Sequence, residues 1–354
     1  MNAPVHVVVP AGIDDPDSPS GGNVYDRRIC AGLPAVGRPV RELPVAGAWP
    51  CPDGGARDRL AGLLDAVPAG ADVLLDGLVA CGVPDVVTPH GDRIRLTVLV
   101  HLPLGDEAGL TPATAAGRAA RERATLRGAS AVVTTSRWAA RRVVETHRIP
   151  AARVHVITPG VEPAPLAAPA PDGGRLLCVG AVTPTKGQDL LVEALARVAD
   201  LHWACLLVGP LVRDPAHVAD VRARIGRHGL GDRIRLTGPR TGPALAATYA
   251  AADLLVLPSR AESYGMVVTE ALARGVPVVA ADVDGVPEAL GRAPDGGLPG
   301  ELVAPGDVAA LAAALRRWLT GPDRRRAARA AARLRRAGLD GWDVTARRLA
   351  GVLA

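Results

Sequence analysis

Short apolar runs alternate along the chain with longer segments in which apolar residues recur every third or fourth position. Continuous apolar runs are typical of strands buried on both faces of a parallel sheet, and the longer segments are typical of amphipathic helices. In the first half of the chain this pattern predicts helices over Thr114–Arg127 and Arg137–His147. The strands that it predicts there are Val5–Pro10, Asp72–Asp76, Leu96–Val100, Ala131–Thr134 and Val154–Thr158.

A segment without hydrophobic periodicity, Glu162–Gly174, separates two such alternating regions. It is rich in Pro, Ala and Gly, which favours an interdomain linker. The pattern after it predicts strands over Arg175–Val179, Trp203–Val208, Arg233–Leu236, Asp253–Leu257 and Pro277–Ala280, and helices over Gln188–Val198, Ala216–His228 and Asp307–Leu319. Because each parallel sheet presents a binding crevice at the carboxyl ends of its strands, we predict an α/β protein of two doubly wound, Rossmann-like domains facing a deep cleft.

Composition and charge refine this picture only slightly. The chain has 354 residues, of which 48% are hydrophobic and 22% charged, as in a soluble protein with two domains. Arginine, alanine and glycine dominate as under GC-rich coding, and Lys186 is the single lysine. Five cysteines lack metal-site spacing, the N-terminus lacks a signal-peptide pattern, and no apolar run approaches the ~20 residues of a membrane helix. We expect a cytoplasmic protein without a nucleic-acid partner.

The segment that follows the predicted strand ending at Leu257 carries two glutamates on either side of a predicted helix start. Glu262 lies in the loop above the strand end, and Glu270 lies about two turns into the helix. The backbone amides of the first helical turn and the helix dipole favour an anion such as a diphosphate between them. These amides belong to Tyr264, Gly265, Met266 and Val267. The two carboxylates are then suited to binding the hydroxyls of a sugar and of a ribose.

This segment resembles the donor-binding motif of the family-4 retaining glycosyltransferases, which have the GT-B fold. Their signature is a Glu, seven further residues and a second Glu, with an aromatic-Gly pair after the first. Here it stands as Glu262-Ser-Tyr-Gly-Met-Val-Val-Thr-Glu270, followed by Arg274-Gly-Val-Pro277. The resemblance implies that Glu262 contacts the donor sugar, that Glu270 contacts the ribose of a nucleoside diphosphate sugar, and that no metal or other cofactor is required.

The resemblance covers nearly the whole chain and implies its division into domains. Residues 1–165 correspond to the acceptor-side domain, and residues 166–325 correspond to the donor domain. Residues 326–354 correspond to C-terminal helices that return to the first domain, since Gly341-Trp-Asp-Val-Thr345 resembles the last helix of the family.

A second motif, Val179-Gly-Ala-Val-Thr-Pro-Thr-Lys-Gly187, follows the first predicted strand of the second domain. It is not a Walker A loop, and it lacks the GxGxxG pattern of NAD-binding proteins. Lys186 stands at a helix start, where an ammonium is well suited to a phosphate. The family usually has an Arg directly after the Gly, and this chain has Ala181. Arg260 is one candidate to supply the missing charge, and weaker phosphate binding is the other expectation.

The first domain carries two further candidate features. Gly21 and Gly22 follow the first predicted strand, where the family has a Gly-Gly loop near the diphosphate and the acceptor. His101 follows the strand Leu96–Val100, and the resemblance implies that it contacts the donor sugar and steadies charge that develops during transfer. A simple turn and a structural histidine are the alternatives for these two features.

Two further patterns are formally compatible with a metal site and with membrane contact, and we do not favour either function. Asp282-Val-Asp284 is formally a metal-nucleotide DxD motif, but it follows a strand where the family has a plain loop, so we interpret it as a solvated loop and expect no metal site. Nine arginines between Arg324 and Arg348 would attract anionic lipids in a peripheral membrane contact, or they are the solvated face of alanine-rich helices. The second interpretation is favoured.

The sequence therefore predicts a retaining glycosyltransferase that moves a sugar from a nucleoside diphosphate sugar to a hydroxyl of a small-molecule or lipid-linked acceptor. His101, Lys186 and Glu262 are the candidate catalytic residues, and the glycines, the first-turn amides and Glu270 are candidate donor contacts. Three alternatives with the same fold remain open: a non-catalytic sugar-nucleotide-binding subunit, a nucleotide-sugar epimerase and a pseudo-glycosyltransferase.

Overall fold

The apolar runs of the first half form a parallel six-stranded sheet in the computed structural model, which describes residues 3–107 and 109–353. Its strands are β1 (Val5–Pro10), β2 (Val40–Val45), β3 (Asp72–Asp76), β4 (Arg95–Val100), β5 (Ala131–Thr134) and β6 (Val154–Val156). The helices between them are α1 (Gly21–Ala35), α2 (Gly54–Asp65), α3 (Gly77–Ala80), α4 (Pro84–Val87), α5 (Pro112–Gly128) and α6 (Arg137–His147). The strand order is β2-β1-β3-β4-β5-β6, so the order reverses between β1 and β3.

A second parallel six-stranded sheet follows residues 162–174, the predicted linker, which the contacts assign to the same unit as this sheet. Its strands are β7 (Arg175–Val179), β8 (Ala204–Val208), β9 (Ile234–Gly238), β10 (Leu254–Leu257), β11 (Val278–Ala281) and β12 (Gly300–Val303). Its helices are α7 (Gln188–Ala196), α8 (Pro215–Arg227), α9 (Gly242–Ala250), α10 (Met266–Leu272), α11 (Val286–Leu290), α12 (Val308–Thr320) and α13 (Pro322–Arg336). The strand order is β12-β11-β10-β7-β8-β9, so the order reverses between β10 and β7.

The predicted fold class is confirmed, because both sheets are parallel, six-stranded and doubly wound. Each sheet has buried apolar residues on both faces, which is why its central strands read as continuous apolar runs. Two strands, β2 and β12, are absent from the sequence-based prediction. Both lie at sheet edges and are only partly buried, and they carry polar residues such as Glu42 and Glu301. An edge strand needs no continuous apolar run, so the pattern does not reveal it.

The last helix, α14 (Trp342–Val352), packs against α1 of the first sheet. Leu349 joins the apolar cluster on that face, and the Thr345 hydroxyl donates a hydrogen bond to the Thr158 carbonyl at 3.0 Å. A Cβ atom on Gly32 of α1 would lie 3.0 Å from the Cβ of Ala346 on α14, so the two helices approach closely. The predicted return of the C-terminal helix to the first domain is confirmed for α14.

Contacts divide the chain into two units whose bounds differ from the expected ones. The first unit contains the chain up to Asp14, then Gly21–Gly160, and the chain from Asp340 onward. The second unit contains Asp15–Ser20 and Val161–Leu339. Helix α13 therefore belongs with the second sheet, where it packs against α10, rather than with the returning segment 326–354. Among the helices of the described chain, none is long and apolar enough to cross a bilayer.

Candidate functional site

Two loops meet at the carboxyl edge of the second sheet, where its strand order reverses between β7 and β10. This reversal point is where ligands bind in doubly wound sheets. The loop after β7 carries Lys186, and the loop after β10 carries Glu262. Gly187 allows these loops to touch: its φ is +69°, and a Cβ atom on it would lie 2.2 Å from the Pro258 carbonyl oxygen. A larger residue at this position is excluded on both counts.

Lys186 and Glu262 form an ion pair at this edge. The Lys186 Nζ atom donates to Glu262 Oε2 at 2.5 Å, and the two side chains are 28% and 13% exposed. Both side chains are therefore mostly buried, but part of each remains accessible to solvent. The structure thus brings together two of the three residues that the sequence nominates as catalytic.

Asp284 fixes the backbone of the Glu262 loop. Its Oδ2 atom accepts a hydrogen bond from the Glu262 backbone N–H at 2.8 Å, and its own φ is +50°, in the left-handed region. A Cβ atom on the next residue, Gly285, would lie 2.1 Å from the Ser263 carbonyl oxygen, so the two loops are in close contact. Asp282 is exposed, as expected of a solvated loop, but that interpretation is wrong for Asp284, which is half-buried and holds the neighbouring loop.

Arg260, in the loop after β10, connects that loop to the loop after β7 and to α7. Its guanidinium donates to both carboxylate oxygens of Asp189, at 2.9 and 2.7 Å, and its backbone N–H donates to the Thr185 carbonyl at 2.7 Å. Burial by itself would raise the pKa of Asp189, but the Arg260 guanidinium outweighs it and holds that pKa below its usual range. The suggested role of Arg260 as a replacement for the arginine missing at Ala181 is therefore weakened, since its charge is already matched by a carboxylate.

The turn that contains Ala181 is held by Gln188 from the first turn of α7. The Gln188 amide nitrogen donates to the Ala181 carbonyl at 3.0 Å, and the side chain is almost completely buried. Gly180 precedes the turn with a φ of +155°, and a Cβ atom on Gly209 would lie 2.0 Å from the Gly180 carbonyl oxygen. Ala181 itself therefore supplies no cationic side chain to the turn, and a cationic side chain that lies beside it is that of Lys186, whose Cγ would be 3.4 Å from a Cβ atom on Gly180.

The helix that was expected near Tyr264 begins at Met266, with Gly265 as its N-cap residue at a φ of +92°. The segment of the four nominated amides, Tyr264 to Val267, therefore spans the loop end and the first helical turn. No side chain of the N-cap residue occupies that turn, since glycine has none. Tyr264 is buried in the apolar cluster on this face of the sheet, which anchors the start of α10.

Glu270 is held from α9 by Tyr249, a residue that the sequence analysis did not identify. The buried Tyr249 hydroxyl donates to Glu270 Oε2 at 2.6 Å, and the Arg274 guanidinium lies 5.1 Å from the Tyr249 ring centroid. Arg274 also donates to the Glu270 carbonyl at 2.9 Å. Burial raises the pKa of Tyr249 well above its usual range, and the Glu270 carboxylate adds to the effect, so the phenol stays a hydrogen-bond donor.

At the carboxyl edge of the first sheet, His101 lies between two buried aspartates. Its Nε2 atom is 2.9 Å from Asp26 Oδ1 on α1 and 3.5 Å from Asp76 Oδ2 at the end of β3. The two strands beside the reversal point, β1 and β3, thus both position residues of the cluster. Asp26 lies on α1, which follows β1, and Asp76 is the last residue of β3. Neither aspartate was identified from the sequence, although Asp76 closes a predicted strand.

Gly21 and Gly22 open α1 beside His101. A Cβ atom on Gly22 would lie 3.2 Å from Cδ2 of the His101 ring, so this glycine leaves room for the imidazole. The structure therefore brings Gly22 and His101 together within the first unit. The expected contacts of the glycine pair with a diphosphate stay a prediction, as do the ligand contacts of the other nominated residues.

One group of side chains in the described part of the chain has the spacing of a metal site. The ligand atoms of Asp26, Asp76 and His101 all lie within 4.8 Å of one another. The sequence nominated no metal ligands, so this cluster is an addition to the predicted site. The Nε2 atom already has a hydrogen bond with Asp26 and an ion-pair contact with Asp76, so an ion bound there would have to replace both contacts.

Comparisons with known proteins agree with this architecture. Residues 3–164 match the model of the family described as Glycosyltransferase Family 4, and residues 168–335 match the model described as Glycosyl transferases group 1. D-inositol 3-phosphate glycosyltransferase 1 of Catenulispora acidiphila is 34% identical over 93% of this chain and 85% of its own length. A D-inositol 3-phosphate glycosyltransferase of Thermobispora bispora is 40% identical, but the match spans 60% of this chain and 53% of that protein.

Two solved structures share the fold over almost their full lengths. Sucrose-phosphate synthase from Thermosynechococcus elongatus has a TM-score of 0.82 at 22% identity, covering 99% of this chain and 98% of that chain. Anabaena HepE, in complex with UDP-glucose, has a TM-score of 0.76 at 19% identity, covering 99% and 98%. At these identities the likeness establishes the arrangement of the elements and leaves the ligands of this chain to be argued from its own residues.

Proposed function

This chain belongs to the group 1 glycosyl transferases, and from that premise we propose that it is a retaining glycosyltransferase that uses a nucleoside diphosphate sugar. The observation that carries the proposal is the Lys186–Glu262 ion pair at the reversal point of the second sheet. An ammonium and a carboxylate at the start of α10 provide one group for a phosphate and one for sugar hydroxyls. The family membership makes this pairing meaningful, since both residues match the motifs of the family.

The diphosphate is proposed to bind between Lys186 and the first turn of α10. Partial positive charge at a helix start and a nearby ammonium both stabilise an anion, and more strongly as its negative charge grows. Donor binding would then move the Lys186 ammonium from Glu262 to a phosphate oxygen, which frees the carboxylate for hydroxyls. The Ala181 turn adds no cation, so Lys186 carries more of this interaction than it would beside an arginine. We propose that no metal is needed.

Retention is proposed to follow from attack on the same face as the leaving group. The bond between the anomeric carbon and the diphosphate oxygen breaks, and a bond from that carbon to the acceptor oxygen forms. The acceptor proton passes to the departing phosphate oxygen. A nucleophilic carboxylate is not invoked, because Glu270 accepts the Tyr249 hydroxyl and the Glu262 carboxylate, once Lys186 has moved to the phosphate, is assigned to the sugar hydroxyls. The transition state has oxocarbenium character, as in other glycosyl transfers.

The relatives narrow the substrates that deserve testing. Two of them are named for D-inositol 3-phosphate, and HepE was solved with UDP-glucose. We propose a hydroxyl of a cyclitol phosphate as the first acceptor to test and uridine diphosphate sugars as the first donors. Lipid-linked acceptors, contact with a membrane surface and a cytoplasmic location stay predictions.

Binding and turnover of a donor panel test this function. The purified chain is mixed with UDP-, GDP-, ADP- and TDP-sugars, and the shift in melting temperature identifies the donor that binds. Transfer is then measured as acceptor-dependent release of the nucleoside diphosphate. Lys186→Met and Glu262→Gln are each expected to lower kcat/KM by at least about 100-fold, as removal of a single group that stabilises the transition state does.

Asp172→Asn serves as the control variant. Asp172 is exposed and pairs with His202 away from the carboxyl edge. The transfer rate of the Asp172→Asn variant should therefore equal that of the unmodified chain. Wild-type turnover in Lys186→Met would contradict the proposed site.

A non-catalytic sugar-nucleotide-binding subunit is the second candidate, and Ala181 is the observation that favours it. A turn without a cation stabilises a departing diphosphate less than one with an arginine. Two results together would support this candidate. The chain would bind a nucleoside diphosphate sugar tightly, and it would neither release the nucleoside diphosphate with any acceptor nor epimerise the sugar without one.

A further inference from the structure

Two buried carboxylates share one nitrogen of His101, and the proposed function does not use them. Asp26 and Asp76 are 4% and 5% exposed, and both approach the Nε2 atom of the ring. Asp76 is also fixed by its backbone partners, because its Oδ1 atom accepts a hydrogen bond from the Leu78 N–H at 2.6 Å. The cluster is therefore a built arrangement in which two buried carboxyl groups face one imidazole edge.

The other ring nitrogen, Nδ1, is at the accessible side of the cluster. Over residues 3–107 and 109–353, no protein group forms a hydrogen bond with it, and it is not among the buried polar atoms without a partner. The side chain of His101 is 20% exposed. In a neutral imidazole that donates from Nε2, Nδ1 is a hydrogen-bond acceptor, whereas in an imidazolium it is a charged donor.

We propose that Asp26 and Asp76 are positioning residues that hold His101 as an imidazolium, so that Nδ1–H is a charged hydrogen-bond donor at the carboxyl edge of the first sheet. An imidazolium balances two carboxylates that would otherwise repel each other inside the protein. The same arrangement orients the ring, because both carboxylates lie on the Nε2 side.

The local electrostatics agree with this assignment. Burial by itself would lower the pKa of His101, but the two carboxylates outweigh it and raise the pKa to about 10. Burial raises the pKa of Asp26 to about 7, and the charge of Asp76 contributes to the rise, while the imidazolium opposes it. Among the described residues, the remaining titratable group against the ring is Tyr25, whose ring centroid lies 5.3 Å away. Its hydroxyl donates to the Ile157 carbonyl, and burial raises its pKa above its usual range, so it stays neutral.

The charge state determines which ligands the edge recognises. A charged N–H donor binds oxygen acceptors such as sugar hydroxyls and phosphate oxygens, whereas a neutral Nδ1 would require a donor from the ligand. The use of this donor on a sugar substrate rests on the proposed function. The charge state of His101 does not, because it follows from groups within the first unit.

Nuclear magnetic resonance of the histidine side chains tests the charge state directly. The full chain is labelled with ¹⁵N-histidine, the His101 signals are assigned by their loss in His101→Gln, and the ring nitrogens are titrated from pH 5 to pH 10. We expect His101 to remain an imidazolium through pH 8. Asp26→Asn and Asp76→Asn should each lower its pKa by about 1 unit or more, the typical effect of one close opposite charge. Asp172→Asn, which removes the carboxylate beside His202, should leave it unchanged.

Three results would overturn the proposal. The first is a His101 pKa at or below its ordinary value in the unmodified chain. The second is a raised pKa that neither asparagine variant lowers, and the third is a stoichiometric metal ion that abolishes the Nε2 proton. Asparagine caps helices about as well as aspartate, so Asp76→Asn should fold with the start of α3 retained. The first result does not depend on any variant, because it is measured on the unmodified chain.

The transfer reaction supplies an independent readout. If the imidazolium acts on substrate, kcat/KM falls at high pH, and Asp76→Asn moves that fall to lower pH. A pH profile that Asp76→Asn leaves in place overturns the use of the charge in transfer. A chain with a titrating imidazolium and no transfer activity would count against the proposed function alone.

Discussion

The hydrogen bond from Tyr249 to Glu270 offers a sharp prediction, because one oxygen atom can be removed without changing the fold. Tyr249→Phe keeps the buried ring and its contact with Arg274 and deletes the donor that lies 2.6 Å from Glu270 Oε2. A hydrogen bond to a charged group contributes about 1.5–3 kcal/mol, which corresponds to roughly 10- to 150-fold in an equilibrium constant. Part of this loss should appear as a lower free energy of unfolding. The remainder should appear as weaker binding of the ligand that Glu270 contacts.

If Glu270 binds the ribose, Tyr249→Phe should weaken nucleotide binding more than it slows transfer. We expect Kd for the nucleoside diphosphate to rise by about 3- to 10-fold while kcat changes little, as for an interaction made equally in the ground and transition states. Isothermal titration with the ribonucleotide and its 2′-deoxy analogue is the assay. Preference for the ribonucleotide should shrink in the variant, because the carboxylate is no longer aimed.

Tyr25→Phe is the matched control. It also deletes a buried phenol oxygen, one that donates to the Ile157 carbonyl at 3.0 Å in the first unit. It should lower the melting temperature without changing the preference for ribose over deoxyribose. If Tyr249→Phe lost stability to the same extent as Tyr25→Phe and left nucleotide affinity and ribose preference intact, Tyr249 would not orient Glu270 for ribose binding.

Three further predictions follow from the geometry. Gly187→Ala should destabilise the chain by at least about 2 kcal/mol in urea unfolding, because of its positive φ and its contact with Pro258, whereas Gly226→Ala on α8, with open space around it, should be neutral or stabilising. Asp284→Ala should raise the donor KM, because the Glu262 loop loses its anchor, and Asp284→Asn, which tolerates the left-handed backbone, should not. Since the folded-state pKa of His101 is raised to about 10, its stabilising effect is complete below its ordinary value of 6.5 and is lost between that value and pH 10. Thermal unfolding should show this alkaline decline in the unmodified chain and a smaller one in His101→Gln, and equal declines would contradict it.

The sequence was sufficient for the parts of the fold that are buried on both faces. Central strands such as β4 and β10 are buried on both faces along most of their length and are mainly apolar, so their apolar runs predict them directly. The edge strands β2 and β12 are half-exposed and carry charge, so no such constraint acts on them. The start of α10 was misplaced by two residues because Gly265, in a left-handed conformation, ends the loop where the pattern continues.

The candidate site divides in the same way. Lys186 and Glu262 are recognisable because each lies in a motif of short spacing after a strand, and the structure brings their charges together. Asp26, Asp76 and Tyr249 act through partners that lie 21 or more residues away along the chain. Spacing within the sequence carries no signal for such pairs, which arise only when separate strands and helices meet at one sheet edge.

The stereochemistry of the product tests the proposed retaining transfer directly. The chain is incubated with the donor found in the binding panel and a cyclitol phosphate or another hydroxyl acceptor, and the anomeric configuration of the new glycoside is determined by proton NMR before it can change. We expect a glycoside with the same anomeric configuration as the donor, formed by the unmodified chain and not by Lys186→Met. An inverted glycoside, or equal product from Lys186→Met, would contradict the proposed retaining transfer.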